Sequence, residues 1–138
     1  MRLLNVNGKL VSKNVQKYKI DWRKNTRSKV QTKVKRFLKE YWKNQTAYEE
    51  FPVYGTRLKV DFLNATKRTA IEVQGRQHNS YNSFFHKNSR ANYLESIKRD
   101  QQKALWLEQN GFFLLEIREE EVNDLNKVFF IDNSSFPL

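Results

Sequence analysis

Cysteine is absent from the chain, so no disulfide framework staples it and no thiolate serves as a nucleophile or zinc ligand. Histidine is nearly absent. His78 and His86 alone argue against a zinc site built only from side chains, and leave open a metal held mainly by carboxylates. No run approaches the roughly 18 apolar residues of a membrane span. The opening MRLLNVNGKLVSK lacks the continuous apolar core of a secretory signal. Internal repeats and low-complexity tracts are missing as well. These absences set the expectation of a soluble, cytoplasmic protein with no membrane partner. A length of 138 residues with 38% hydrophobic content suits one compact domain with a modest core.

Acidic residues are scarce in one region only. Residues 1–45 hold 14 Lys and Arg against Asp21 and Glu40, a balance of +12, while the remainder is close to neutral. Such a field suits a polyanion, most simply nucleic acid, although basic segments also bind acidic membranes. Tyr18 and Trp22 lie among these charges; stacking on bases and anchoring a basic face to the core are equally good readings. Residues 1–25 show no clean period and read as a partly ordered arm, and the first 27 residues, which hold eight Lys and Arg, as a basic arm that settles on DNA. The domain proper then spans 28–138.

From Ser28 to Lys43, Val30, Val34, Phe37, Leu38, Tyr41 and Trp42 recur at helical spacing and predict an amphipathic helix capped by Thr26 or Ser28. Its other positions are largely basic, and Lys29, Lys33 and Arg36 are candidates for phosphate contacts. Runs at 48–54, 57–64 and 69–74 predict a three-stranded meander punctuated by Gly55 and by NATKR. Residues 75–88 read as a loop pinned by Tyr81, Phe84 and Phe85. A long helix is expected over 89–109, buried through Leu94, Ile97, Ala104, Leu105 and Leu107 and ended by Gly111. A buried strand over 112–117, a short helix over 119–128 with Val122 and Leu125 inward, and a weakly fixed tail complete the chain.

If Ala65–Arg68 is the loop of the second hairpin, Asn64 pairs with Thr69, and counting back sets Asp61 opposite Glu72. Directly opposed residues share a face with Cβ atoms about 4.5–5.5 Å apart. Alternation adds Gln74 to that face and puts Val60, Phe62, Ile71 and Val73 on the other, against a helix. Two close carboxylates repel, and a cation relieves them. Mg²⁺ accepts carboxylates, a backbone carbonyl, waters and phosphate oxygens, and in phosphodiester cleavage it acidifies water and neutralises phosphoryl charge. Standing alone, such a pair is equally a solvated surface pair.

The stretch KVDFLNATKRTAIEVQGRQH resembles the core of the PD-(D/E)XK nuclease superfamily, Asp61 matching the motif aspartate, Glu72 the second acid and Gln74 the position usually held by lysine. From Ser28 to Ile117, about two thirds of the chain, the text looks like the Vsr-like branch of very-short-patch-repair endonucleases. GRQH supplies His78, RDQQK supplies Asp100 and Lys103, and NGFFLLEI supplies the last strand. The resemblance implies an α/β (α+β) fold with a restriction-endonuclease-like core, αβββαβ, whose mixed central sheet is flanked by helices. It implies a Mg²⁺-dependent DNA endonuclease, with Mn²⁺ as a substitute, acting on double-stranded, mismatched or branched DNA in a prokaryotic or phage-infected cell. Asp61, Glu72 and the Val73 carbonyl would hold the metal, with Gln74 and His78 as catalytic partners.

Two departures stand out. Gln31 occupies the first helix where relatives often carry Glu, and Gln74 can orient water or phosphate through its N–H groups but brings no positive charge. They leave a non-catalytic DNA-binding protein of the same fold as the alternative, and an RNA-processing nuclease as a third reading. Accessory candidates each carry a plainer reading. Glu50 could reach the metal or be exposed, Asp100 and Lys103 could be a helix-surface pair, and His78 could be a general base or a loop hydrogen-bonder. Arg76, Arg90 and Arg99 are candidate phosphate clamps, or solvated charges. A homodimer would draw on Tyr18, Trp22, Phe129, Phe130 and Phe136.

Overall fold

In the computed structural model, residues 1–26, 28–75, 90–125 and 137–138 are described. The chain starts with a small antiparallel hairpin, β1 (Arg2–Leu4) and β2 (Leu10–Ser12), whose turn uses Gly8 at φ 81°. A 3₁₀ turn follows over Gln16–Tyr18. This overturns the expectation of a partly ordered arm. Leu3 and Val15 are buried in one of two hydrophobic clusters, and the Leu4 carbonyl accepts the indole N–H of Trp106 at 2.7 Å. The Met1 carbonyl accepts the hydroxyl of Tyr54 at 2.8 Å. Strands of three residues are too short for alternation to register, which is why the segment read as aperiodic. Its apolar residues are the anchors of a strap, and Tyr18 and Trp22 likewise pack against the clusters.

Helix α1 (Lys29–Trp42) begins at Ser28, whose hydroxyl accepts the Gln31 N–H at 2.9 Å, the N-cap bond the sequence suggests. The meander forms as β3 (Ala47–Pro52), β4 (Lys59–Asn64) and β5 (Thr69–Gln74). Helix α2 (Arg90–Gln109) leads through Gly111, at φ 75°, into β6 (Phe113–Arg118), and a 3₁₀ helix spans Glu119–Asp124. The four-stranded sheet runs β3-β4-β5-β6, antiparallel except for the parallel pair β5·β6. The result is an α+β architecture in the expected order, a mixed central sheet flanked by α1 and α2.

Each sheet face has its own apolar cluster. Val34, Leu38 and Trp42 of α1 cover Phe62, Ile71, Leu115 and Ile117 on one side. On the other, Trp106 and Leu107 of α2 pack with Tyr48, Phe51, Tyr54, Leu63 and Ala70, the rings of Phe51, Tyr54 and Trp106 lying about 6 Å apart. Val60 belongs to this second cluster rather than beside Phe62, contrary to simple alternation. The break is local: β3 and β4 pair at Glu49↔Phe62 and again at Phe51↔Val60, while the intervening Glu50 sits at φ 51°. A left-handed residue there turns the strand and resets which side follows. Leu94 and Leu105 of α2, expected inside, are 54% and 55% exposed; the buried contacts come from Leu107, as expected, and from Trp106.

Candidate active site

Pairing of Asn64 with Thr69 and of Phe62 with Ile71 fixes the hairpin register. Beyond Phe62 the backbone ladder stops and side chains take it over. The Asp61 N–H donates to Glu72 Oε2 at 3.0 Å, and the Val73 N–H donates to Asp61 Oδ2 at 2.8 Å. The two carboxylates thus lie together in the gap between parting strands. Glu72 is buried, as is Gln74 two positions on, and Asp61 is half-buried. From α2, the Lys103 ammonium reaches Glu72 Oε1 at 2.8 Å.

One helix face explains both the core and the site. Trp106 and Leu107 seal the apolar end of the α2 side of the sheet, and one to three turns earlier the same face carries Lys103, Asp100, Arg99 and Ser96 over the polar end. These four, with Glu50, Arg57, Lys59 and Asp61, line a cleft of about 420 Å³. Glu50 is oriented from α1, where the Gln31 side-chain amide donates to its Oε1 at 3.1 Å. The first helix therefore contributes to the site indirectly, by holding an acid of β3.

The electrostatics are those of crowded negative charge. Burial, then repulsion by Glu72 and a hydrogen bond to it, push the Asp61 carboxyl up to about 8, against the opposing pull of the Val73 N–H and Lys103. Burial opposes the charge on Lys103, but the contact with Glu72 and the charges of Asp61 and Asp100 together outweigh it and hold the ammonium above its ordinary range. Glu116, the single acid in β6, pairs with Glu72 across the parallel strands. Burial and the neighbouring Asp100 and Glu72 push it up, with Arg118 opposing. Glu116 was missed as a site neighbour although the signal was present, a lone carboxylate in an apolar strand.

Asp61, Glu72, Glu50, Asp100, Lys103 and Arg99 are therefore brought to one region, while Gln74 lies buried two positions beyond Glu72 on β5. Lys29, Lys33 and Arg36 are not at this cleft; they line a different hollow with Asn25, Thr26, Ser28 and Thr32. Arg90 is exposed at the start of α2. His78 and Arg76 lie outside the described residues, as do Tyr81, Phe84, Phe85, Phe129, Phe130 and Phe136.

Among the described residues no three His, Cys, Asp or Glu side chains converge as a metal-ligand group. The donor set fits an ion that needs fewer. Mg²⁺ is commonly held by one or two carboxylates and completes its shell with water and phosphate oxygens. Burial first and Glu72 second push the Asp61 carboxyl toward its protonated form, and a bound cation would favour the ionised form instead. No helix among the described residues is long and apolar enough to cross a membrane.

Comparison with known proteins gives two viral relatives. Uncharacterized protein 033L of Invertebrate iridescent virus 3 is 31% identical over 99 residues, 68% of this chain and 50% of that protein. Uncharacterized protein 094L of Frog virus 3 (isolate Goorha) is 38% identical over 66 residues, 48% of this chain and 43% of that protein. The chain thus spans about half the length of the curated relatives it matches. No protein-family model matches the chain, and no solved structure does.

Proposed function

We propose that this chain is a Mg²⁺-dependent DNA endonuclease of the PD-(D/E)XK type. The observation that carries the reading is the Asp61–Glu72 pair, set side by side where the strands part and opening onto a cleft rimmed by Arg57, Arg99 and Lys103. Asp61 and Glu72, with the Val73 carbonyl, hold Mg²⁺ or Mn²⁺. When bound there, the ion supplies acidity to a water and neutralises charge on phosphoryl oxygens. Gln74 directs an amide N–H at the water or the phosphate. Lys103 keeps a fixed positive charge beside Glu72 that faces the developing charge of the phosphate. Arg57 and Arg99 grip neighbouring phosphates, which gives affinity without reading sequence.

Double-stranded or branched DNA is the expected substrate; one site per chain nicks, and a double-strand cut requires a second copy related by two-fold symmetry. The viral relatives support a virus-infected cell as the setting, with an invertebrate iridescent virus and a frog virus in place of a phage.

One observation favours a non-catalytic DNA-binding protein of the same fold. Lys103 occupies Glu72 Oε1 and the Asp61 N–H occupies Oε2, so the protein already compensates one of the two acids. The deciding experiment incubates the protein with supercoiled, linear, mismatched and four-way branched DNA in Mg²⁺ or Mn²⁺. Metal-dependent nicking that disappears in Asp61→Asn and in Glu72→Gln, with DNA affinity retained within about twofold, is expected. Cleavage surviving in both variants would place the chemistry elsewhere.

A further inference from the structure

A second cleft, of about 440 Å³, adjoins the first and shares Glu50 and Lys59 with it. Lys17, Lys19 and Lys24 rise from its other wall. All four lysines are exposed, and among the described residues Lys19, Lys24 and Lys59 form no ion pair, while the Lys17 ammonium lies 5.2 Å from the Tyr18 ring centre. Three carboxylates also line this cleft, and each is already engaged. Glu49 pairs with the buried Lys35 at 2.8 Å, Glu50 accepts from Gln31, and Asp21 accepts the Arg23 N–H at 3.0 Å. Only Glu49 has a cationic partner, in Lys35; Glu50 and Asp21 bond neutral donors and keep their charge, so the four lysines outnumber the uncancelled carboxylates four to two and the cleft carries a formal +2.

The wall that carries these lysines is fixed rather than a free tail. Lys19 bridges to Tyr48, the Ile20 N–H donates to the Ala47 carbonyl, and Lys35 reaches back to the Lys24 carbonyl at 2.8 Å. Tyr18 packs edge-on against Phe51, which pins the 3₁₀ turn to the core. Ammonium groups on a fixed backbone lose less entropy when they meet a ligand than groups on a disordered arm.

We propose that Lys17, Lys19, Lys24 and Lys59 form a phosphate track for the DNA strand that enters the Asp61–Glu72 cleft, a reading that rests on the nuclease assignment. The strand's phosphodiester backbone runs from the acidic pair past Lys59 and along the segment 17–24. Phosphate contacts of this kind set register and direction and read no bases. Of the basic residues that charge counting marks over 1–45, the track takes Lys17, Lys19 and Lys24 and leaves out Lys29, Lys33 and Arg36 of α1, which line a different hollow.

The test measures fluorescence anisotropy on labelled duplex and labelled single-stranded DNA in EDTA, so that no cleavage intervenes. The full-length protein is compared with Lys17→Ala/Lys19→Ala/Lys24→Ala and with Lys9→Ala/Lys39→Ala/Lys43→Ala, which removes equal charge at exposed positions off the track. The track variant is expected to lose at least tenfold in affinity on both DNA forms. Its slope of log affinity against log salt should fall by roughly 2.7 on duplex and roughly 2.1 on single strands, three contacts in each case. The control should lose less than a third of that, and the triple Lys→Arg version of the track should bind like the parent.

Equal losses in the two alanine variants, or no loss in the track variant, would overturn the track. Melting curves establish that both variants fold. Parallel cleavage assays separate the two claims. A parent that cuts while the track variant binds normally sinks the track alone. A parent that never cuts while the track variant loses affinity leaves the track standing and sinks the nuclease reading.

Discussion

Replacing Asp61 by Asn tests whether the site is strained by charge before any metal arrives. The carboxyl is held at about 8 in the folded chain against an ordinary 3.8, by burial first and by Glu72 second. Between those values the folded state carries a proton that the unfolded chain has lost, so stability falls as pH rises through the window. Each pH unit is worth at most about 1.4 kcal/mol, which sets a ceiling of about 6 kcal/mol over the whole shift. Water enters through the cleft and Glu72 shares the proton, so a realised cost of about 2 kcal/mol at high pH is the expectation. Asn keeps an oxygen for the Val73 N–H and offers Glu72 a donor without charge.

Melting curves in EDTA should therefore show the parent and Asp61→Asn close together near about pH 5 and the variant about 6 °C higher near about pH 9. Adding Mg²⁺ at the higher pH should raise the parent and leave the variant almost unmoved, since a bound cation favours the ionised carboxylate only where one exists. Curves that stay parallel across pH, or a variant that melts below the parent at high pH, would refute the charge-crowding argument.

Lys103→Met removes the ammonium from the 5%-exposed Glu72 side chain and should cost about 2 kcal/mol, with Mg²⁺ recovering more stability in this variant than in the parent when melts are compared. Glu50→Gly and Glu50→Ala both lose the Gln31 contact, but only Gly suits φ 51°; Glu50→Gly should melt about 3 °C above Glu50→Ala, and equal melting would mean the backbone there is unstrained. Leu3→Ala should cost about 2–4 kcal/mol in denaturant titration because Leu3 is buried under the second cluster, whereas a residue in a loose arm would cost under about 0.5 kcal/mol.

The acidic pair was legible because register follows from loop length. Four loop residues between Asn64 and Thr69 leave one antiparallel pairing, and the side-chain period of two carries it to Asp61 and Glu72. What could not be read is how those residues are bonded: the ladder ends at Phe62 and Ile71, and the carboxylates themselves accept the next amides. Nor was the turn at Glu50 legible, since a non-glycine residue at positive φ carries no sequence mark. It is held by tertiary contacts, among them the hydrogen bond from Gln31. The residue that looked like a defect of the first helix is thus the one that orients the acid on β3.

Helix α2 was placed correctly and rotated wrongly, and one physical cause accounts for both. An apolar stripe through Leu94, Ile97 and Leu105 is the better hydrophobic pattern, yet two of those residues are more than half exposed. Lys103 lies nine positions after Leu94, about two and a half turns, and so on the opposite side of the helix. The face that meets the sheet carries Trp106 and Leu107 over the core but Ser96, Arg99, Asp100 and Lys103 over the cleft. A helix that spans both a core and a polar site buries charge along half its length, so a search for apolar periodicity turns it away from the chemistry it serves. The informative signal in this sequence was therefore polar: Asp61, Glu72 and Gln74 on the sheet require a partner helix face with charges at matching height, and Lys103 and Asp100, about one and two turns before Trp106, supply it.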